Sequence, residues 1–296
     1  MSQPIQSSFQ PLFILFALLS AIFMGTVGVL ARYAAMPAEH ITFYRLLLGA
    51  VCLVIFMLFS GKRKQIRHKP SKRTVVNGMM LAGFMLFYIQ AMNYTTMANA
   101  VMLIYLAPLL SAVIAHFAFA ERLGVLSLLV IALALLGFAM MMEFSLVASG
   151  NEDELLGIFY GVLSMLTYSG FMLINRKPSE CTPYQSTLVQ MGVGALCLLP
   201  LVLTQPLLPT LSQSYWLLLI GIVPGFLAIL CAVQALRQLP AVTFGTLAYV
   251  EPVTVVVLAW WLFAEKLNGL QLSGVTLIIL AGISQGFLAQ RQSVKC

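Results

Sequence analysis

The sequence contains very few charged residues. Lys, Arg, Asp and Glu make up 8% of its 296 residues, and hydrophobic residues make up 61%. A soluble domain of average composition is about a quarter charged and about half apolar. Because this chain has too little charge to cover a water-exposed surface, its composition excludes a soluble globule and indicates a protein that lies in a lipid bilayer.

The sequence also lacks the residue clusters on which metal sites, disulfide frameworks and ATP-driven proteins depend. The five cysteines are odd in number and form no CxxC pair, and the three histidines, His40, His68 and His116, are scattered. No G-x-x-x-x-G-K-[ST] loop is present, so ATP is not expected as a direct energy source. We expect no disulfide framework, metal ion or cofactor. A multi-pass membrane enzyme is a weaker alternative for the same reason, and no enzymatic activity is expected.

Ten apolar runs are each long enough to cross a bilayer as a helix, which takes about 20 residues. They cover 11–32, 41–60, 74–94, 98–120, 124–143, 155–175, 185–204, 214–236, 242–263 and 269–289. The connections between them leave no room for a soluble domain. The predicted fold is an all-α polytopic membrane protein with ten transmembrane helices.

The distribution of Lys and Arg predicts how these helices are oriented. With the N-terminus inside, most of the 16 cations fall in inner segments, whereas the acidic cluster Glu152, Asp153 and Glu154 falls outside. Positive loops remain on the cytoplasmic side, so both termini are predicted to be cytoplasmic, in a bacterial inner membrane. This asymmetry accounts for the formal charge of +7, and no nucleic-acid partner is expected.

A short pattern occurs twice, half a chain apart. Tyr105, Pro108 and Glu121 return as Tyr249, Pro252 and Glu265 (105 to 249, 121 to 265). Ten spans in two halves give five each, and because five is odd the second half must enter the membrane inverted. The predicted repeats are residues 9–143 and 155–290, joined by an external linker at 144–154. Inverted repeats can open alternately to either side of a central site.

Further motifs make the chain resemble a known family. Phe-Ala-Glu-Arg/Lys-Leu follows the fourth span of each half (119–123 and 263–267), Phe43-Tyr44-Arg45 begins span 2, and Leu-Ala-Tyr-Val-Glu-Pro occupies 247–252. With the doubled mid-span proline, this set resembles the drug/metabolite transporter superfamily, in its ten-span EamA-like branch. The chain departs from many relatives in span 1, where it has Met24-Gly25 instead of Trp-Gly.

The resemblance implies a secondary transporter of small metabolites, amino acids or drugs, exporting from the inner membrane by alternating access. A proton is one expected coupling partner, and the protein is expected to work as a monomer or homodimer. Uptake of a vitamin or another nutrient by the same fold is the alternative within transport. A channel and a receptor are disfavoured, by the inverted repeat and by the lack of an extramembrane domain.

Glu251 is the first candidate for substrate contact or coupling, since ionisable groups inside a span are costly. It directly precedes Pro252, which removes one backbone donor and frees a carbonyl about one turn earlier. A free carbonyl at membrane depth needs water or a partner, so this stretch should face a cavity. The position that matches Glu251 in half one is Ala107. The alternative is a carboxylate held by hydroxyls or amides of other spans for packing alone.

Other polar and aromatic side chains inside spans are the remaining candidates for substrate contact. Tyr88, Tyr105 and Tyr168 could form an aromatic wall that binds a planar or cationic solute. The amide candidates are Asn99, Gln190 and Gln234. For any single tyrosine, packing or an interfacial aromatic belt is the alternative.

Several singled-out residues are interpreted as structural or gating elements. Pro108 and Pro252, which recur in both halves, are interpreted as scaffold, and Glu121 and Glu265 should lock helix ends. Arg45, one turn into span 2, is near enough to the helix end to snorkel to the interface, and the resemblance implies a shared structural role for it, an ion pair or a carbonyl contact. Its match in half two, Gln190, is also polar, which hints at a gate or a hydrogen bond between helices.

Overall fold

The computed structural model describes residues 10–66, 69–119, 124–144, 152–177, 181–204, 208–263 and 267–294. Glu121, Glu265 and residues 145–151 of the linker lie outside the described residues, so the expected helix-end locks stay predictions. The described part of the chain is helical and contains no strand.

The first half contains five spans and a short helix, Arg63–Ile66, in its basic loop. Span 1 is Gln10–Gly25 continued by Val27–Ala34, span 2 is Ala38–Phe59, span 3 is Lys72–Tyr94, span 4 is Met97–Ile104 continued by Ala107–Phe119, and span 5 is Val125–Met141.

The second half repeats this order. Span 6 is Glu152–Arg176, span 7 is Pro183–Thr204, span 8 is Leu211–Ile220 continued through Gly221–Leu227 to Ala228–Gln238, span 9 is Ala241–Ala248 continued by Val250–Phe263, and span 10 is Gly269–Val294. Eight spans are long and apolar enough to cross a membrane, and two shorter apolar stretches, Val125–Met141 and Gly269–Gln285, complete the ten. The predicted ten-helix polytopic fold is confirmed.

Two hydrogen bonds between spans make the relation of the halves visible. Ser20 Oγ in span 1 donates to the Ala228 carbonyl oxygen in span 8 at 2.9 Å. Ser164 Oγ in span 6 donates to the Phe84 carbonyl oxygen in span 3 at 2.8 Å. Both residues of the second bond match those of the first at a spacing of 144 (20 to 164, 84 to 228). Span 1 therefore crosses span 8 as span 6 crosses span 3, which is the arrangement expected of two inverted repeats.

Spans 4 and 9 are both broken just before their proline. The helix stops at Ile104 and restarts at Ala107, and in the second half it stops at Ala248 and restarts at Val250. A proline within a helix removes a backbone donor and clashes with the preceding turn, which accounts for both breaks.

Span 8 contains a segment of π-helix around Pro224. Gly221–Leu227 winds with the wider π-helical turn and joins two α-helical segments. A Cβ on Gly221 would lie 2.5 Å from Leu48 Cβ on span 2, and a Cβ on Gly78 would lie 2.7 Å from Val193 Cβ on span 7. The two glycines thus lie at corresponding crossings of the two halves. Gly78 therefore matches Gly221 (143 apart), whereas Phe84 matches Ala228 (144 apart). Span 8 has gained one residue between these points, and the π-helix accommodates it.

The ends of spans 1, 2 and 8 form an apolar cluster on the side of the membrane that holds the linker, which we call the linker side. The opposite face, which holds residues 61–71, is the basic-loop side. We call this cluster the apolar seam; its buried members are Ala34, Met36, Ile41, Leu217 and Ile220. The ring of Tyr33 stacks on Trp216 beside it, with centroids 4.8 Å apart. Apolar packing therefore holds the ends of these three spans together.

Spans 5 and 10 cross at Gly137 and Gly274, and this contact generates a stability prediction. A Cβ on Gly274 would press against the Gly137 carbonyl oxygen and lie 2.7 Å from the Met141 backbone nitrogen. Overpacking of this kind costs about 1–3 kcal/mol. We expect Gly274→Ala to lower the thermal unfolding midpoint of the detergent-purified protein by several degrees.

Gly282 on the same helix is the matched control, because a Cβ there has no atom within 4 Å. Both substitutions gain the same intrinsic helix propensity, about 1 kcal/mol. Gly282→Ala should therefore leave the midpoint unchanged or raise it. Equal midpoints for the two variants would contradict the close crossing.

Candidate functional site

Glu251 lies near the middle of span 9, next to the break in that helix, and its side chain is half-buried. The carboxylate is within electrostatic range of the Arg45 guanidinium and within hydrogen-bonding reach of the Tyr105 side chain. Its charge also acts on the hydroxyls of Tyr88 and Tyr168. Spans 2, 3, 4, 6 and 9 therefore each bring one polar side chain to the same place.

The three tyrosines are half-buried, and two of them, Tyr105 and Tyr168, keep their rings against other aromatic side chains. Tyr168 packs on Phe84 with centroids 4.8 Å apart, and Tyr105 packs on Phe138 at 4.5 Å. Ring packing of this type fixes the direction of each hydroxyl. The structure thus brings together the carboxylate and the three tyrosines that the sequence analysis proposed as substrate contacts.

Tyr249 lies two residues from Glu251 but belongs to the packing behind the site. Its side chain is fully buried, and its hydroxyl donates to the Tyr105 carbonyl oxygen at 2.5 Å. Residues two apart on a helix point in directions about 200° apart, which explains why Glu251 faces the site and Tyr249 does not. Tyr105 connects the two, since its backbone meets Tyr249 and its side chain meets Glu251.

Arg45 is directed into the protein, so the expectation that it snorkels to the interface is wrong. Its Nη2 donates to Met85 Sδ at 3.2 Å, and its charge interacts with Glu251. Within the described residues, its buried Nε has no hydrogen-bond partner. The guanidinium therefore keeps donor capacity that a ligand could use. In the sequence Arg45 lies close to the end of span 2, which suggested snorkelling. The rotation of span 2 against the other spans, which turns Arg45 inward, is not visible in the sequence.

The amide candidates do not share one location. Asn99 is buried at the linker-side start of span 4, where its Nδ2 donates to Thr95 Oγ1 at 3.0 Å and to Glu154 Oε1 at 3.5 Å. These contacts join spans 4 and 6, so Asn99 has a structural partner set of its own. Gln234 is half-buried on span 8. Gln190 lies in a separate pocket on the basic-loop side, together with Asn175.

Gly25 explains the close approach of span 1 to the site. A Cβ on Gly25 would lie 2.9 Å from the Glu251 carbonyl oxygen and 2.7 Å from Thr254 Cβ. At the matching place in the other half, Ser169 Oγ donates to the Ala107 carbonyl oxygen at 3.0 Å. Gly25 matches Ser169, and Ala107 matches Glu251, at the spacing of 144. Glycine at position 25 therefore lets span 1 touch the backbone that carries the carboxylate.

Among the described residues, no three His, Cys, Asp or Glu side chains lie together as a metal site would need. The chemistry available at Glu251 is thus that of one carboxylate, one guanidinium and several phenols. These groups can bind charges and hydroxyls, and a carboxylate can carry a proton.

A sequence profile of the EamA-like transporter family matches residues 11–143 and matches again residues 155–284. Together the two matches cover most of the chain. This chain belongs to the EamA-like transporter family. The resemblance noted in the sequence is thereby confirmed, and the chain is a multi-pass membrane protein of a transporter family.

Curated relatives of this EamA-like chain are described as transporters. An uncharacterized transporter of Archaeoglobus fulgidus is 28% identical over 90% of this chain and 92% of the relative. The uncharacterized transporter YxxF of Bacillus subtilis is 26% identical over 81% and 78%. The pseudopaline exporter CntI of Pseudomonas aeruginosa is 21% identical over 92% and 94%.

A solved crystal structure superposes on this chain with a TM-score of 0.83, at 18% sequence identity, covering 94% of this chain and 98% of the other. At that identity the likeness shows the fold alone.

The bond between Tyr249 and the Tyr105 carbonyl can be tested by removing one oxygen atom. Tyr249→Phe leaves that carbonyl without its donor, and a buried group left unpaired costs about 1–3 kcal/mol. We expect a lower thermal unfolding midpoint for the purified protein. Tyr215→Phe is the control, since Tyr215 is 59% exposed, and its midpoint should not change. A Tyr249→Phe protein as stable as the control would contradict a structural role for this bond.

Proposed function

We propose that this protein is a secondary transporter that moves a small polar solute by alternating access, with the solute bound at Glu251 and Arg45. The observation that carries the proposal is that one carboxylate and one guanidinium, both half-buried, lie within electrostatic range of each other beside the break in span 9. Opposite charges at one place can hold a solute that itself has both signs, or one whose polar groups pair with each.

Placing these two charged side chains inside a bilayer costs free energy. An ionisable side chain at the centre of a bilayer costs about 2.5–3.5 kcal/mol on insertion scales. An apolar pair would pack the bundle more cheaply, as Ala107 does at the position that matches Glu251. The two halves share the fold but not the charge, so the fold does not require the carboxylate. Solute binding, proton transfer or both would explain why a charged side chain is present at this position.

The tyrosines extend the range of solutes that the site accepts. Tyr88, Tyr105 and Tyr168 surround Glu251 on three different spans. Their hydroxyls can bond to a polar solute, and their ring faces attract cations. We infer a solute with at least one cationic or hydrogen-bonding group that pairs with the carboxylate.

Export is the proposed direction. The apolar seam packs the ends of spans 1, 2 and 8 together on the linker side, whereas the matching region on the basic-loop side holds a polar pocket. If positive loops are cytoplasmic, a transporter in this conformation loads from the cytoplasm. The name of one relative, the pseudopaline exporter, supports the same direction. Uptake of a nutrient is the competing proposal, and the termini are proposed to be cytoplasmic in an inner membrane.

Glu251→Gln tests the role of the carboxylate without requiring that the solute be known. Proteoliposomes containing the purified protein are loaded with a ¹³C-labelled small-molecule cell extract, and released compounds are identified by mass spectrometry with and without an imposed pH gradient. We expect wild-type protein to release a restricted set of compounds in a gradient-dependent manner. The variant should lose the gradient dependence, because glutamine cannot carry the proton.

Glu152→Gln is the matched control, since Glu152 is an exposed acid at the start of span 6. Its release pattern and pH response should equal those of wild type. A Glu251→Gln protein that transports with unchanged pH dependence would remove Glu251 from coupling, and protein that releases nothing beyond empty liposomes would argue against transport.

Direction is tested in cells that overproduce the protein. Export predicts that a compound accumulates in the medium relative to cells that produce Glu251→Gln, measured by mass spectrometry of medium and cytoplasm. Accumulation of a medium component inside the cells instead would favour uptake.

A further inference from the structure

The basic-loop side contains a pocket that the proposed Glu251 site does not use. It lies where spans 3, 6, 7 and 8 meet and has an empty volume of about 210 Å³ including its open mouth. Three buried amide side chains line it, namely Asn77, Asn175 and Gln190. Because that volume includes open solvent, the enclosed space is much smaller and admits one small polar or charged group at most, not a whole metabolite.

Several polar atoms of these three amides have no hydrogen-bond partner among the described residues. Gln190 Nε2 donates to Asn175 Oδ1 at 2.9 Å. Within the described residues, Asn77 Nδ2 and Oδ1, Asn175 Nδ2 and Gln190 Oε1 have no hydrogen-bond partner. Asn77 is only 1% exposed. Buried polar atoms in native proteins are nearly always paired, so this group of atoms indicates a ligand that pairs with them.

The charges around the pocket determine the sign of that ligand. Arg73, Lys177 and Arg237 line it, and none of its described lining residues is acidic. Arg237 is held in place, because its Nη1 donates to the Cys181 carbonyl oxygen at 2.7 Å and its Nη2 donates to Ser186 Oγ at 2.5 Å. Guanidinium and amide donors around one space are suited to a carboxylate or phosphate group.

The inverted repeat shows that this polarity is not a requirement of the fold. Four polar lining residues match apolar members of the apolar seam and its surroundings: Thr74 matches Leu217, Asn77 matches Ile220, Asn175 matches Ala31 and Ser186 matches Ile41. The same crossing of helices is therefore packed with hydrocarbon at one end of the bundle and lined with amides and hydroxyls at the other.

We propose that this pocket is an entry subsite that binds the carboxylate or phosphate group of the transported solute before the solute reaches Glu251. Asn77 and Tyr88 lie 11 residues apart on span 3 (77 to 88), which is about 16 Å along a helix. A small solute cannot reach both places at once, so the pocket acts before the Glu251 site and not as part of it. The identity of the ligand as solute rests on the transport proposed above.

The test uses inorganic phosphate and succinate as probes on the full-length purified protein in phosphatidylcholine nanodiscs, at constant ionic strength. A bound anion stabilises the folded state by mass action. We expect both probes, or one of them, to raise the thermal unfolding midpoint of wild type by about 2 °C or more. Asn77→Leu, which replaces the amide with a side chain of similar size, should abolish the rise.

Lys177→Gln provides a second variant that does not disturb the buried amides, because Lys177 is exposed at the pocket mouth. It should weaken the anion response several-fold in half-saturating concentration. Lys64→Gln is its control, since it removes one charge from the same side of the membrane outside the pocket, and it should respond like wild type.

Three outcomes would overturn the proposal. They are no midpoint rise with either anion, an equal rise in all variants, and a rise that phosphatidylglycerol in the nanodisc produces but the free anions do not. The last outcome would identify a lipid headgroup as the ligand. Because the assay measures binding alone, it can fail while gradient-driven transport through Glu251 succeeds, and the reverse also holds.

Discussion

The arrangement of the whole bundle depends on how two broken helices satisfy their backbone inside hydrocarbon. Every backbone carbonyl at membrane depth needs a partner, and spans 4 and 9 each expose a turn just before their proline. The two breaks meet, and Tyr249 donates to the Tyr105 carbonyl across them. This contact places the Tyr105 side chain beside Glu251. The helix breaks that leave backbone carbonyls unpaired therefore also bring the Tyr105 side chain to Glu251.

The two halves repeat the fold but have diverged in chemistry at corresponding places. At the middle, Ala107 in one half stands where Glu251 stands in the other. At the ends, an apolar seam around Ile220 corresponds to a polar pocket around Asn77. An apolar contact favours the closed state because separating it exposes hydrocarbon to water, at about 25 cal/mol per Å². A polar contact opens at lower cost, since water replaces its hydrogen bonds. If the protein works by the alternating access proposed above, this difference favours opening on the basic-loop side.

The architecture was predictable because it depends on quantities that a sequence carries directly. Span length and the doubled pattern are one-dimensional, and they predicted ten helices in two inverted halves. Rotation of one helix against another is three-dimensional, and here prediction failed. Arg45 turns inward instead of snorkelling, and Asn99 contacts Glu154 across two spans. The pairing of Gln190 with Asn175 was missed too, because nothing in the spacing of single residues reports which helices touch.

The π-helical segment of span 8 has a consequence for the history of the family. One extra residue would rotate the rest of an α-helix by about 100° and advance it by about 1.5 Å, moving Ala228 away from Ser20. The wider turn confines that change to Gly221–Leu227. It fits because the facing position on span 2 is Gly49, where a Cβ would lie 3.1 Å from the Gly221 carbonyl oxygen. The wider turn therefore needs the space that Gly49 leaves, and we expect relatives with the longer span 8 to have a small residue at the position of Gly49.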